Sequence, residues 1–122
     1  MVIARDAIPT VELPREVVLC EPLGGDVIVQ GMNLSQALTF FATREREIQP
    51  KEGETEEAAV QRSGIVLIPL VLSMCVLAAD EKPVYSEAQW SVWCGRNLVA
   101  AVGLFKVATR LSGTDAADKK KD

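Results

Sequence analysis

The feature that most constrains the fold is an apolar segment without charge, sixteen residues long, from Gly64 to Ala79. As an α-helix it would be about 24 Å long, shorter than the roughly 30 Å hydrocarbon core of a bilayer. Arg62 and Asp80 lie just outside it, and Pro69 is expected to kink or interrupt the helix. We therefore expect a central core helix in preference to a membrane span. A helix that is apolar on every side needs cover all around, which indicates burial by another subunit or a partner.

Before this segment the sequence changes from a strand pattern to a helix pattern. Two runs rich in β-branched residues, Val17–Glu21 and Asp26–Gln30, flank a Pro/Gly-Gly turn and predict a β-hairpin. A hairpin alone is only marginally stable in water, so its apolar face must dock on helices. Asn33 and Gln36 form a capping-box pattern, which predicts a helix that ends near Ile48.

Three further helices are predicted. The helix that contains the apolar segment begins at Thr55, with two glutamates in its first turn. Residues 86–89 form a second capping box and start a short helix, which Gly95 is expected to end in a left-handed conformation. The last helix runs from about Asn97 to Leu111, and Gly113 stops it. Its continuous apolar face consists of Leu98, Ala101, Val102, Phe105, Ala108 and Leu111.

These patterns predict an α+β fold that is predominantly α, with an N-terminal β-hairpin followed by about four helices. We expect an extended N-terminal arm over residues 1–16 and a single globular domain over residues 17–113. Residues 114–122 have almost no apolar content and alternate in charge, so a disordered tail is predicted there. The first fourteen residues carry charges and no apolar core segment, which is not typical of a signal peptide.

The composition argues against several classes of function. The net charge is −4, and basic residues alternate with acidic ones, so nucleic acid is not an expected partner. The chain has no histidine, which excludes the imidazole-based triads and metal sites. Its three widely spaced cysteines form no disulfide or metal pattern, and Cys75 is expected to be a small buried apolar residue. We expect no enzyme, no cofactor, no metal and a reducing cytoplasm.

Large apolar residues are the candidates for contact with a partner protein. Trp90 and Trp93 lie three positions apart and share a helix face, so they either cap the core or anchor a partner. Phe40 and Phe41 are adjacent and point about 100° apart, and Phe40 is predicted to be the exposed one. The full set of predicted partner-binding residues is Phe40, Phe41, Ile68, Leu72, Trp90, Trp93 and Phe105.

The order of these elements resembles a known family. Its motifs are V-x-L-x-E-P-x-G-G-D-V-x-V-x-G-M-N-L at residues 17–34, D-E-K-P-V-Y-S-E at residues 80–87 and L-F-x-x-A-x-x-L-S-G at residues 104–113. Across residues 15–113 the chain is similar to the tail assembly chaperones of long-tailed (siphovirus, lambda-like) bacteriophages.

The resemblance implies a protein of the host cytoplasm that is not part of the mature virion. Such a chaperone binds the tape measure protein, keeps it soluble, helps recruit the tail tube protein and commonly self-associates. The resemblance supplies no catalytic residues. Two alternatives stay open: a small phage structural subunit, such as a connector or tail completion protein, and a membrane-active, holin-like protein that spans the bilayer with Gly64–Ala79.

Overall fold

The computed structural model describes residues 1–114, so the tail predicted over residues 114–122 lies outside the described residues except for Thr114. The strands are β1 (Arg15–Cys20), β2 (Gly25–Gln30) and β3 (Val76–Leu77). The helices are α1 (Leu34–Glu47), α2 (Glu56–Cys75), α3 (Glu87–Arg96) and α4 (Leu98–Leu111). The predicted α+β, mostly helical fold with an N-terminal hairpin is confirmed. The arm before β1 is exposed and contains one 3₁₀ turn, Arg5–Ala7.

The predicted hairpin forms the first two strands of an antiparallel sheet in the order β1-β2-β3. Arg15 pairs with Gln30 and Cys20 with Gly25, without a bulge between them. Gly24 closes the turn at φ 93°, a left-handed conformation that glycine adopts without steric cost. Val27 and Val29 point into the core, as the alternation of a half-buried strand requires.

The apolar segment does not continue as a helix to Ala79. α2 ends at Cys75, and Val76–Leu77 forms β3, which pairs with Val29 and Ile28 of β2. This third strand was not predicted, because its partner lies far away in the sequence. Pro69 does not interrupt α2, although proline removes one helical hydrogen bond. The buried packing on both sides of Pro69 holds the helix together.

The predicted caps explain where the other helices begin. The Asn33 side chain accepts a hydrogen bond from the backbone amide of Gln36, and the Gln36 side chain accepts one from the backbone amide of Asn33. Residues 86 and 89 form the same reciprocal capping box for α3. Gly95, however, lies inside α3, which ends one residue later, so the prediction that Gly95 ends the helix is wrong. Gly113, just after α4, has φ 69° as predicted for a helix stop.

The sheet and the four helices share one cluster of buried residues, with α2 at its centre. α2 buries seven residues: Ala59, Ser63, Leu67, Pro69, Val71, Leu72 and Cys75. Among residues 1–114, α2 is also the helix whose length and composition would allow it to cross a membrane. The central helix of a soluble domain can have the same length and composition, and 39% of the most apolar part of α2 is buried inside the protein.

Helix α4 packs against the core through a face slightly rotated from the predicted one. Ala101, Leu104 and Ala108 are buried, whereas Leu98, which was predicted to belong to the apolar face, is exposed. The chain turns between α3 and α4 at Asn97, and this turn leaves the first residue of α4 outside the core. The α4 face is therefore centred on Leu104.

Candidate protein-binding groove

An open apolar groove with a volume of about 460 Å³ lies where α1, α2 and α4 meet. This volume lies in the range typical of ligand sites. We call it the α1–α2–α4 groove. Its lining comes from the three helices, their connections and the residues after α4: Phe40, Phe41, Arg44, Ile48, Val60, Ser63, Gly64, Leu67, Ile68, Phe105, Thr109, Gly113 and Thr114. A concave surface of this composition can receive apolar side chains of another chain.

The two adjacent phenylalanines of α1 line the groove in different ways. Phe40 is buried at 4% exposure, whereas Phe41 is 42% exposed. The prediction that Phe40 is the exposed one is therefore wrong, because the phase of α1 turns position 40 towards the core. Their rings meet edge to face, with centroids 5.5 Å apart. Such a pair is a favourable aromatic arrangement, so Phe40 holds Phe41 in place beside the opening.

Helix α2 lines the groove with residues at helical spacing. Val60, Gly64, Leu67 and Ile68 recur at intervals of three and four, so they lie on one side of the helix. Leu67 is buried, Ile68 is half-buried, and Val60 is 55% exposed. The side of α2 that faces the groove is therefore apolar but incompletely covered by the chain itself.

Gly64 joins this groove to a second, smaller cavity of about 300 Å³ on the next side of α2. Both cavities are also lined by Ile68, and the second one adds the exposed Ile65 and Leu98. A methyl group at Gly64 would meet only the Cδ1 atom of Ile68, at 3.5 Å, which is ordinary contact. The missing side chain at Gly64 thus leaves open space between two apolar cavities.

Helix α4 supplies one wall of the groove without a free polar group. Phe105 is half-buried, and the buried Thr109 hydroxyl donates to the Phe105 carbonyl at 3.0 Å. Thr109 is also fixed by Thr114, whose amide donates to the Thr109 carbonyl at 3.0 Å. The hydroxyl is therefore satisfied within the helix and leaves the apolar character of the wall unchanged.

A partly buried ion pair fixes the connection between α1 and α2. The Arg62 guanidinium donates to both carboxylate oxygens of Glu54 at 2.9 Å and to the Gln49 carbonyl at 3.1 Å. The hydrogen bonds that Glu54 accepts from Arg62 and from the Lys51 amide lower the pKa of Glu54 to about 2. Because Ile48 lies at the end of α1, this pair also holds one end of the groove.

The structure brings together four of the seven predicted partner-binding residues. Phe40, Phe41, Ile68 and Phe105 all line the α1–α2–α4 groove. Leu72 does not, because it is fully buried in the core on another side of α2. Sequence reasoning missed Val60 and Gly64, although Val60 lies two turns before Leu67 on the same helix side. This helical spacing could have placed Val60 on the groove side of α2 from the sequence.

The two tryptophans belong to the core and its edge rather than to the groove. Trp90 is fully buried, so it belongs to the core and cannot anchor a partner. Its ring packs edge to face against Tyr85, with centroids 5.0 Å apart, and against the half-buried Trp93 at 5.2 Å. Trp93 therefore covers Trp90, and neither residue lines the groove.

The thiols and acidic groups form no arrangement for metal binding in the described part of the chain. Cys20, Cys75 and Cys94 are free and buried, as predicted for Cys75. Burial raises the pKa of the Cys75 thiol to about 12 and also raises those of Cys20 and Cys94. Such thiols are protonated at neutral pH. Within residues 1–114 no three Cys, Asp or Glu side chains are grouped so that they could hold a metal ion.

The fold and the groove define a small α+β protein with an apolar surface between three helices. Comparisons with protein-family models, with curated proteins and with solved structures found no match for this chain.

Proposed function

We propose that this chain is a phage tail assembly chaperone that binds apolar helical segments of the tape measure protein. In this role it keeps the tape measure protein soluble and helps recruit tail tube subunits in the host cytoplasm. The observation that carries the proposal is the α1–α2–α4 groove, an open apolar surface beside a helix that the chain itself does not fully cover. The sequence motifs that resemble tail assembly chaperones supply the identity of the client.

The dimensions of the groove suit a helical client. Val60 and Ile68 are eight residues apart on α2, which corresponds to about 12 Å or two helical turns. A client helix of two to three turns could therefore place apolar side chains at positions i, i+4 and i+7 along the groove. Long chains with such apolar stripes aggregate when the stripes are uncovered, so covering them keeps the client soluble.

Charge supports the same role. Arg44 is exposed at the groove and could pair with an acidic residue that flanks the apolar stripe of the client. The net charge of −4 keeps a complex with an aggregation-prone client soluble. Neither effect needs a catalytic group.

A matched pair of substitutions tests the proposal. Val60→Glu places a carboxylate in the groove, whereas Val92→Glu makes the same change on α3 away from it. The two valines are 55% and 69% exposed, so both variants should fold. Each variant is co-expressed with the tape measure protein. We expect this client to remain soluble with the Val92 variant and to precipitate with the Val60 variant. Equal solubilisation by both variants would refute the proposed groove.

The membrane-active alternative rests on the length and composition of α2. Insertion would require α2 to leave its contacts with α1, α3, α4 and β2. Fractionation separates the two functions, because recovery of the chain in the soluble fraction without detergent would exclude the membrane-active one. A structural subunit would be found in purified phage particles, whereas a chaperone would be absent from them.

A further inference from the structure

The outer edge of β1 has no partner strand among residues 1–114, since the sheet order places β1 at the end of the sheet. Such an edge presents a row of free backbone amide and carbonyl groups and is a template for another strand. Of the usual protections, β1 lacks a bulge and a proline. Its charged residues Arg15 and Glu16 stand at its first two positions, and Glu16 pairs with Arg110 of α4 at 2.9 Å, so the rest of the strand edge carries no charge. Its outward-facing side chains, Val17 and Leu19, are each 66% exposed.

We propose that two copies of this chain associate through their β1 strands, edge to edge and antiparallel, to form one continuous six-stranded sheet. The partner is a second copy, and the surface is separate from the α1–α2–α4 groove and independent of the proposed function. A two-fold axis perpendicular to the sheet keeps the same face of both copies on the same side.

The register follows from the side-chain pattern of the strand. Residues that face each other in an antiparallel pair lie on the same face of the sheet. The register centred on Val18 places Val17 opposite Leu19 of the second copy, so that the exposed apolar side chains cover each other. It also brings Arg15 next to Glu21 of the second copy, the first residue of the 3₁₀ turn Glu21–Leu23 that follows β1, which is a pairing of opposite charges at each end of the two strands. The register centred on Val17 would place Arg15 opposite Leu19, and the one centred on Leu19 would place Glu21 opposite Val17.

Two further features agree with this arrangement. An apolar cavity of about 290 Å³ lies between α4, β1 and the turn after β1, and its lining includes Val18, Cys20, Gly103 and Leu104 but no residue of β2. It therefore opens on the free side of β1, where a second β1 would cover it. Arg15 pairs with Glu81 at 2.8 Å in the single copy, but both groups are exposed. Such a pair is weak, so Arg15 can turn to Glu21 of the second copy.

The test uses the full chain without any client, so that its outcome does not depend on the proposed function. Sedimentation over a range from micromolar to several hundred micromolar protein gives the dimer dissociation constant. Glu21→Arg brings two like charges close together, twice per dimer, and should raise that constant at least about tenfold. The double variant Arg15→Glu/Glu21→Arg restores opposite charges and should return it close to the wild-type value. Glu52→Arg makes the same charge change on the loop between α1 and α2 and is the matched control.

Hydrogen exchange locates the contact independently of charge. The amides of residues 16–20 that point away from β2 should become more protected as the protein concentration rises, and Glu21→Arg should remove this effect. A chain that stays monomeric at every concentration would overturn the proposal. So would a dimer that responds equally to Glu21→Arg and Glu52→Arg. Protection of β1 that does not change with protein concentration would equally overturn self-pairing.

Discussion

Gly64 offers a substitution in which stability and binding should change in opposite directions. It lies in the middle of α2, where glycine is about 1 kcal/mol less favourable than alanine. A Cβ atom there meets only the Ile68 Cδ1 atom, at 3.5 Å, so it causes no clash. Gly64→Ala should therefore raise the free energy of unfolding by about 1 kcal/mol. For a chain of this length that corresponds to an increase in Tm of roughly 4 °C.

The larger substitution Gly64→Leu should separate folding from binding. The leucine side chain extends into the open space between the two cavities, so the variant should remain folded with nearly the same gain in helix propensity. It would, however, occupy the position that we propose for one client side chain. Burial of such a side chain contributes about 1.5–3 kcal/mol, so its loss should weaken the client complex at least about tenfold.

Urea unfolding of the free protein and co-purification with the tape measure protein measure the two effects. Gly103→Ala is the matched control, because Gly103 is a helical glycine of α4 with open space around its Cβ position, outside the groove. It should raise stability by a similar amount. Because Gly103 lines the cavity beside β1, its binding is compared with a client peptide that has a single apolar stripe, for which it should be unchanged. A loss of stability in Gly64→Ala would show that the space beside Gly64 is not open, and wild-type binding by Gly64→Leu would show that this space is not the client site.

Three further predictions concern the fold itself. Leu72→Ala removes a fully buried side chain and should lower the free energy of unfolding, measured by urea titration, by about 2–5 kcal/mol. Ile65→Ala, on the exposed side of α2, should change that free energy by less than about 0.5 kcal/mol. The Glu54 pKa is lowered to about 2, so its pairing with Arg62 stabilises the fold above the ordinary carboxyl pKa near 4.5. The stability difference between wild type and Glu54→Gln should therefore shrink as the pH falls from about 5 towards 2, and a constant difference would contradict this linkage. Because burial raises the Cys75 pKa to about 12, a thiol reagent at pH 7 should modify Cys75 only after unfolding; rapid modification of the native protein would show that Cys75 is accessible.

The elements that could be predicted from the sequence depend on interactions between near neighbours. Asn33 with Gln36, and residue 86 with residue 89, define helix starts through hydrogen bonds across three positions, and both capping boxes form in the structure. The β-hairpin is similarly local, because a short turn brings its two strands together. In each case the signal and its partner lie within one short window of sequence.

The predictions that failed depend on contacts between distant residues. Val76 leaves the helical pattern because it pairs with Val29, forty-seven positions earlier, and no local feature of the apolar segment marks this change. The exposure of Phe40 and Phe41 depends on the phase of α1 against α2 and α4. Adjacent aromatic residues look equivalent in the sequence, so only the packed structure distinguishes them.

The groove was anticipated only in part, through the expectation that a helix apolar on all sides needs cover. The apolar segment Gly64–Ala79 has sixteen consecutive uncharged positions, twelve of them in α2, and the chain covers them unevenly. Leu72 lies in the core, whereas Ile65 remains exposed. The sequence predicted the excess of apolar surface, but the arrangement of α1 and α4 determines where that excess lies.

The two proposed surfaces together lead to a last prediction about long clients. The groove and the pairing edge of β1 share no residue, so a dimer would carry two grooves. A client with several apolar stripes could then occupy both, and the second contact would form at a high effective concentration. Avidity of this kind commonly exceeds the single-site affinity by a factor of about 10² or more.

Glu21→Arg should therefore affect long and short clients differently. A peptide with one apolar stripe should bind the variant as tightly as it binds wild type, because the groove is unchanged. A segment with two stripes should bind wild type much more tightly than it binds the variant, and calorimetry of both ligands measures the difference. Val60→Glu should lower the affinity for both ligands by a similar factor. If Glu21→Arg reduced the affinity for the single-stripe peptide, the edge of β1 would contribute to client binding directly, and the separation of the two surfaces would be wrong.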